Sequence, residues 1–135
     1  MKKLLLLLLA AFHLAASDIE LATKIYKTIA VALTANSTPL FYIHGDIGEL
    51  RDNRQILRTE RCAKADIVIL STFDGLPPEC LKKPLFASRY RLFLEHSEIV
   101  GAFFWQKGRP NIVFSAERLQ QRGIRLGAEF EPYIE

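Results

Sequence analysis

Between Asp18 and Ala35 the apolar residues recur at three- and four-residue spacing: Ile19, Ala22, Ile25, Tyr26, Ile29, Ala32 and Leu33. That period lays them along one face of an amphipathic helix. Asp18 is placed to cap its start, and Glu20 stands four residues before Lys24 in the favourable order. Asn36-Ser37-Thr38-Pro39 ends it, because three turn formers precede a residue that cannot continue a helix.

Beyond that stop the period changes. Leu40 to His44 is a short run of strand formers, apolar on both faces, closed by Gly45-Asp46. Ile47 to Gln55 reads as a short helix and Ile56 to Thr59 as a brief edge strand. Ala65 to Ser71 holds four consecutive branched or apolar residues between polar ends, the mark of a central, fully buried strand. Gly75-Leu76-Pro77-Pro78 breaks the chain, Cys80 falls in a short helical or irregular piece, and Pro84 to Ser88 is a further strand. Arg89 to His96 suits either its continuation or a short helix.

Ile99 to Trp105 and Asn111 to Phe114 read as a hairpin, joined by a three-residue turn, Gln106-Lys107-Gly108, with Gly108 supplying the positive φ. Pro110 cannot donate a ladder hydrogen bond, which places the second strand at a sheet edge or bonded from its other side. Ser115 caps a helix through Arg122, with Glu117 in its first turn and Gly123 past its end. Gly127 to Ile134 adds one more short helix. The fold class expected is α/β: a single small domain, a mixed sheet with flanking helices, and a C-terminal β-hairpin followed by helices.

The first seventeen residues follow a different logic. Lys2 and Lys3 precede an apolar run from Leu4, and Ala15-Ala16-Ser17 supplies small residues for cleavage before Asp18. This is the layout of a secretory signal peptide. The apolar stretch is shorter than the roughly 20 residues that span a bilayer. The organisation expected is a signal peptide at 1–17 and one periplasmic domain at 18–135, with no insertion into the membrane after cleavage.

Removing residues 1–17 from the 135 leaves 118, enough for a core without further staples. Taking Lys2 and Lys3 from the 18 basic residues sets 16 against 15 acidic ones. A nearly neutral domain gives no electrostatic case for nucleic acid, and no block of like charge marks a polybasic membrane patch. Both cysteines, Cys62 and Cys80, lie in the exported part, where two thiols commonly pair. The bridge is either a plain structural staple or a redox-responsive one. No CxxC or Cys/His cluster calls for haem or zinc, and no cofactor or metal is implied.

No catalytic motif stands out. Gly45 and Gly48 lack the partners of a phosphate loop, and there is no GxSxG or HExxH. His44 and Asp46 flank a glycine at a strand end, where α/β sheets bind ligands, and they are the candidate ligand pair. The same residues also describe a strand end and a helix cap. In the hairpin, Ile99, Gly101, Phe103 and Trp105 alternate against Val100, Ala102 and Phe104. If one face were left uncovered, Phe103 and Trp105 would meet a partner, with Lys107 and Arg109 at the tip; burial under helices is the competing arrangement.

The run from Val100 to Ser115, followed by Ala116 to Leu126, resembles the closing segment of YfiR-type periplasmic regulators. That segment has a glycine-containing strand, a Gly-Arg turn, a second strand and a helix ending in Gly-Ile/Leu-x-Leu. Leu40 to Asp46 resembles the family's first strand, and Cys62 is similar to its cysteine at the head of the central strand. The chain departs from the family where three residues separate Cys62 from the strand, where Ser115 replaces the usual Asn, and where Asn-Ser-Thr-Pro follows the first helix.

The resemblance implies a non-enzymatic protein that restrains a membrane-anchored signalling enzyme, typically a diguanylate cyclase. Disulfide state or a ligand would relieve the restraint, with Cys62 the redox-relevant cysteine and Cys80 its partner. Two other classes stay open: a small periplasmic enzyme or ligand-binding domain built on His44 and Asp46, and an accessory scaffold of an envelope complex.

Overall fold

The computed structural model describes the backbone of residues 2–135 and the side chains from Asp18 onward. The signal peptide expected at 1–17 therefore falls on residues whose side chains lie outside those described. A helix, α1 (Lys2–Thr34), leads into a five-stranded sheet of β1 (Phe41–His44), β2 (Ile67–Leu70), β3 (Leu85–Ala87), β4 (Ile99–Gln106) and β5 (Arg109–Phe114). Two short helices complete the set, α2 (Tyr90–Glu95) before β4 and α3 (Ala116–Gln121) after β5. The strands lie in the order β1-β2-β3-β4-β5, the first four parallel and the last antiparallel. This is the mixed α/β sheet of a single small domain, as the alternating pattern indicated. Among the described residues no helix is long and apolar enough to cross a membrane.

The sheet separates two apolar layers. On one face α1 packs Ala22, Tyr26, Ile29 and Leu33 against Ile67, Ile69, Phe86 and Phe103, joined by Leu119 and Phe130 from the C-terminal segment. On the other face Val68, Leu70, Leu85 and Ala102 meet Leu92 and Phe93 of α2 and the two cysteines. All four residues of β2 are fully buried, as a strand covered twice requires. It is an interior strand; the middle position belongs to β3.

Several local expectations are corrected. The helix runs through Asp18, so Asp18 lies inside it and caps nothing; no breaker separates it from the preceding Leu- and Ala-rich stretch, whose residues have high helix propensity. Ile19 is 49% exposed, while Thr23 is buried in its stead, its hydroxyl donating to the Ile19 carbonyl at 2.7 Å. Ile47 to Gln55 yields only a 3-10 turn at Gly48–Leu50. Asp52 adopts φ 54° there, and the Asn53 side chain accepts from the Gln55 amide at 3.0 Å, which diverts the backbone from a helix. The Ile56–Thr59 strand shrinks to one bridge, Arg58 to Phe41, along the β1 edge.

The Gly127–Ile134 segment is a 3-10 helix at Ala128–Tyr133 containing Pro132, and Ile134 bridges to Phe114 on the outer side of β5. β5 is the edge strand, where Pro110 needs no donor.

The hairpin turn holds two residues instead of three. Gln106 still pairs with Arg109, leaving Lys107 at φ 53° and Gly108 at φ 75°. Two successive positive φ values make the turn whose twist matches the strands it joins. Strict alternation also fails at the start of β4. The register against β3 shifts between Leu85 and Phe86, so Ile99 faces the α2 layer and Val100 the α1 layer, opposite to the simple pattern. One extra residue in a strand reverses the facing of everything before it.

Candidate functional site

The carboxyl ends of the parallel strands gather His44, Gly45 and the Ser71–Asp74 loop. Gly45 has φ 89°, and a Cβ there would collide with the Ser71 hydroxyl. The turn after β1 is thus pressed against the loop after β2, and the Ser71 amide donates to the His44 carbonyl at 3.0 Å. The His44 ring reaches the Asp74 carbonyl through Nε2 at 2.7 Å. A carbonyl only accepts, so Nε2 carries a proton and donates in this bond. Tyr42 stacks near the same ring at 6.2 Å between centroids.

Asp46 turns elsewhere. Its carboxylate accepts from the Arg51 guanidinium on the open surface, and this bond holds Arg51 above its usual pKa. His44 and Asp46 are therefore neighbours in sequence with separate partners.

The hairpin candidates divide in the same way. Phe103 is 1% exposed, packed edge-on against Tyr26 at 5.1 Å between centroids, and is unavailable to a partner. Trp105 is half-buried beside it at 5.5 Å, and its indole Nε1 donates to Glu49 Oε1 at 2.9 Å. Lys107 and Arg109 stand exposed at the tip. Of the two arrangements open to this aromatic face, burial is the one found, with Phe103 under α1, and what the hairpin offers to solvent is its charged end.

Cys62 and Cys80 are bonded, with Cα atoms 5.2 Å apart. Both sulfur-bearing residues are buried, at 2% and 0% exposure, in 3-10 turns Cys62–Lys64 and Pro78–Lys82. The bridge ties together the two loops that lead into β2 and β3.

The open cavities among the described residues lie away from these groups. A groove of about 300 Å³ between α1, β5 and the C-terminal turn is lined by Leu21, Ile25, Ile112, Phe130 and Tyr133. A polar one of about 530 Å³ is lined by residues from Asp52 to Arg58. Among the described residues no three His, Cys, Asp or Glu side chains gather as a metal site. The strongest electrostatic perturbation lies in the core: burial, with Glu49 nearby, pushes the Tyr26 phenol far above its ordinary value.

Glu49, Ser71, Asp74 and Asn53 were not singled out by the sequence. Asn53 donates to the Thr23 hydroxyl at 2.7 Å and to the Glu49 carbonyl at 3.0 Å, binding the turn after β1 to α1. Thr23 and Asn53 lie 30 residues apart, and no local pattern pairs them.

Comparison of the chain with protein-family models, with curated proteins and with solved structures gives no match.

Proposed function

We infer that the chain is an exported regulatory protein that binds a membrane-anchored signalling enzyme, a diguanylate cyclase being the type of partner, and restrains it. The observation that carries this reading is the Cys62–Cys80 bridge, which fits an oxidising compartment and sits at the two loops that set β2 and β3. The secretory layout of residues 1–17 and the resemblance of residues 100–126 to YfiR-type regulators support it from the sequence. In this reading the leader is removed behind Ser17 and the domain works in the periplasm.

The bridge gives the domain two states that a partner can distinguish. Reduced, the Cys62 and Cys80 turns are free to move apart and the loops beneath α2 lose their tether. The test is recovery of the tagged protein from cross-linked native envelopes, with and without reductant, read by mass spectrometry. A membrane signalling enzyme whose recovery changes with reductant is the expected result. A fixed set of envelope structural proteins, indifferent to reductant, would replace the regulator with a scaffold.

A further inference from the structure

We propose that the end of the sheet formed by the β4–β5 hairpin tip and the start of α2 is a docking surface for an anionic lipid bilayer. No run of basic residues announces it, because the fold assembles it from two separate segments. β3 and β4 run parallel with Ala87 beside Ala102, so the chain leaving β3 and the tip of the hairpin emerge at the same end. Tyr90 then packs on Phe104 with ring centroids 4.9 Å apart, three residues before Lys107 of the turn.

Arg89, Arg91, Lys107 and Arg109 are all exposed at this end. Of these four, only Arg91 has a carboxylate within reach among the described residues, Glu95 at 3.7 Å, and that pair is open to solvent. The nearby Glu49 is occupied by the Trp105 indole on the opposite face of the sheet. The side chains of Arg89, Lys107 and Arg109 make no hydrogen bond among the described residues, so they remain free to meet phosphates.

The apolar component decides between a bilayer and a soluble anion. One turn apart on α2, Tyr90 and Leu94 are 38% and 56% exposed beside these cations. A phenol ring favours the headgroup region, a leucine favours the acyl boundary, and long basic side chains reach back to the phosphates. A small anion would leave both apolar groups in water. The residues of the tip are all exposed, which suits a flat and laterally mobile partner.

The test needs only this chain and lipid, so its outcome is independent of whether a protein partner exists. The full chain, recovered from the envelope of an expressing host, is floated with vesicles of phosphatidylcholine alone or with phosphatidylglycerol mixed in. Binding to the anionic vesicles should exceed binding to the neutral ones and weaken with salt. Each of Arg89→Gln, Arg91→Gln, Lys107→Asn and Arg109→Gln should lower it about fivefold, the factor expected per cation near an anionic surface. Any contribution of the leader is common to all variants and cancels in the ratio. Arg-to-Lys replacements at 89, 91 and 109 keep the charge and should keep the binding, which separates lost attraction from lost folding. Equal flotation of the wild type with both vesicle types, or of the wild type and the Gln and Asn variants, would overturn the proposal. So would capture of an acidic protein at this tip with no preference for anionic vesicles.

Discussion

The Trp105 indole donates to the Glu49 carboxylate at 2.9 Å, joining the edge hairpin to the turn after β1 across 56 residues of sequence. Glu49 also lies close enough to Tyr26 to raise its pKa further. One carboxylate thus connects β4, the Gly48–Leu50 turn and the core face of α1. Glu49→Ala should lower unfolding stability by about 1–2 kcal/mol, the net worth of a charge-assisted hydrogen bond that is partly exposed. Glu49→Gln retains an acceptor and should lose less. Trp105 is the sole tryptophan, so urea titration followed by its fluorescence reads stability and local environment together. Equal stability of the wild type and Glu49→Ala would mean that the bond only orients the indole.

The strand assignments were legible because burial on both faces leaves continuous apolar runs. Ile67 to Leu70 and Ile99 to Trp105 are such runs, and both are strands. Errors fall where the decisive contact is distant or a single residue. The bulge at the start of β4 depends on pairing with β3, and the two-residue turn depends on Gln106 still pairing with Arg109. The candidate site was less legible still. His44 takes its partner from Asp74, 30 residues on, and the cluster of cations at the hairpin tip exists only after Tyr90 has packed on Phe104.

Gly101 marks the tightest approach within the sheet. A Cβ there would stand 2.5 Å from the Val113 carbonyl oxygen and 2.7 Å from the Phe114 ring. The first obstacle is backbone and cannot swing aside. Gly101→Ala should therefore destabilise the domain by about 1–3 kcal/mol, the usual cost of overpacking. By contrast, Gly48 has open space around its would-be Cβ, and Gly48→Ala should change the denaturation midpoint little. Comparable losses for the two would show that the β4–β5 contact relaxes freely.

Tyr26 links the core to alkaline pH. Burial is the first cause and Glu49 the second of a phenol held well above its ordinary value of 10.0. The unfolded chain therefore loses this proton first as pH rises. The stability contributed is complete below pH 10 and declines above it, by up to about 1.4 kcal/mol per pH unit for one proton. Tyr26→Phe should remove that slope while keeping the ring contacts with Phe86 and Phe103. Thermal melts of both proteins between pH 9 and 11, on the roughly one-unit scale of a single titration, would show parallel losses if another group governs alkaline unfolding.

The Cys62–Cys80 bridge should govern stability and partner choice separably. It closes a loop across a sequence separation of 18, which constrains the unfolded chain by about 3 kcal/mol on the chain-entropy model. Cys62→Ala with Cys80→Ala should lower the urea midpoint accordingly, since the two sulfurs are also buried and leave space behind. A purely structural staple predicts that the double variant, held well below its melting temperature, recovers the same envelope partners as the wild type. A regulatory bridge predicts that the partner set changes even where circular dichroism shows the fold intact. Reduction of the wild type must then reproduce the variant's partners. Loss of stability with an unchanged partner set would confine the disulfide to holding the loops beneath α2.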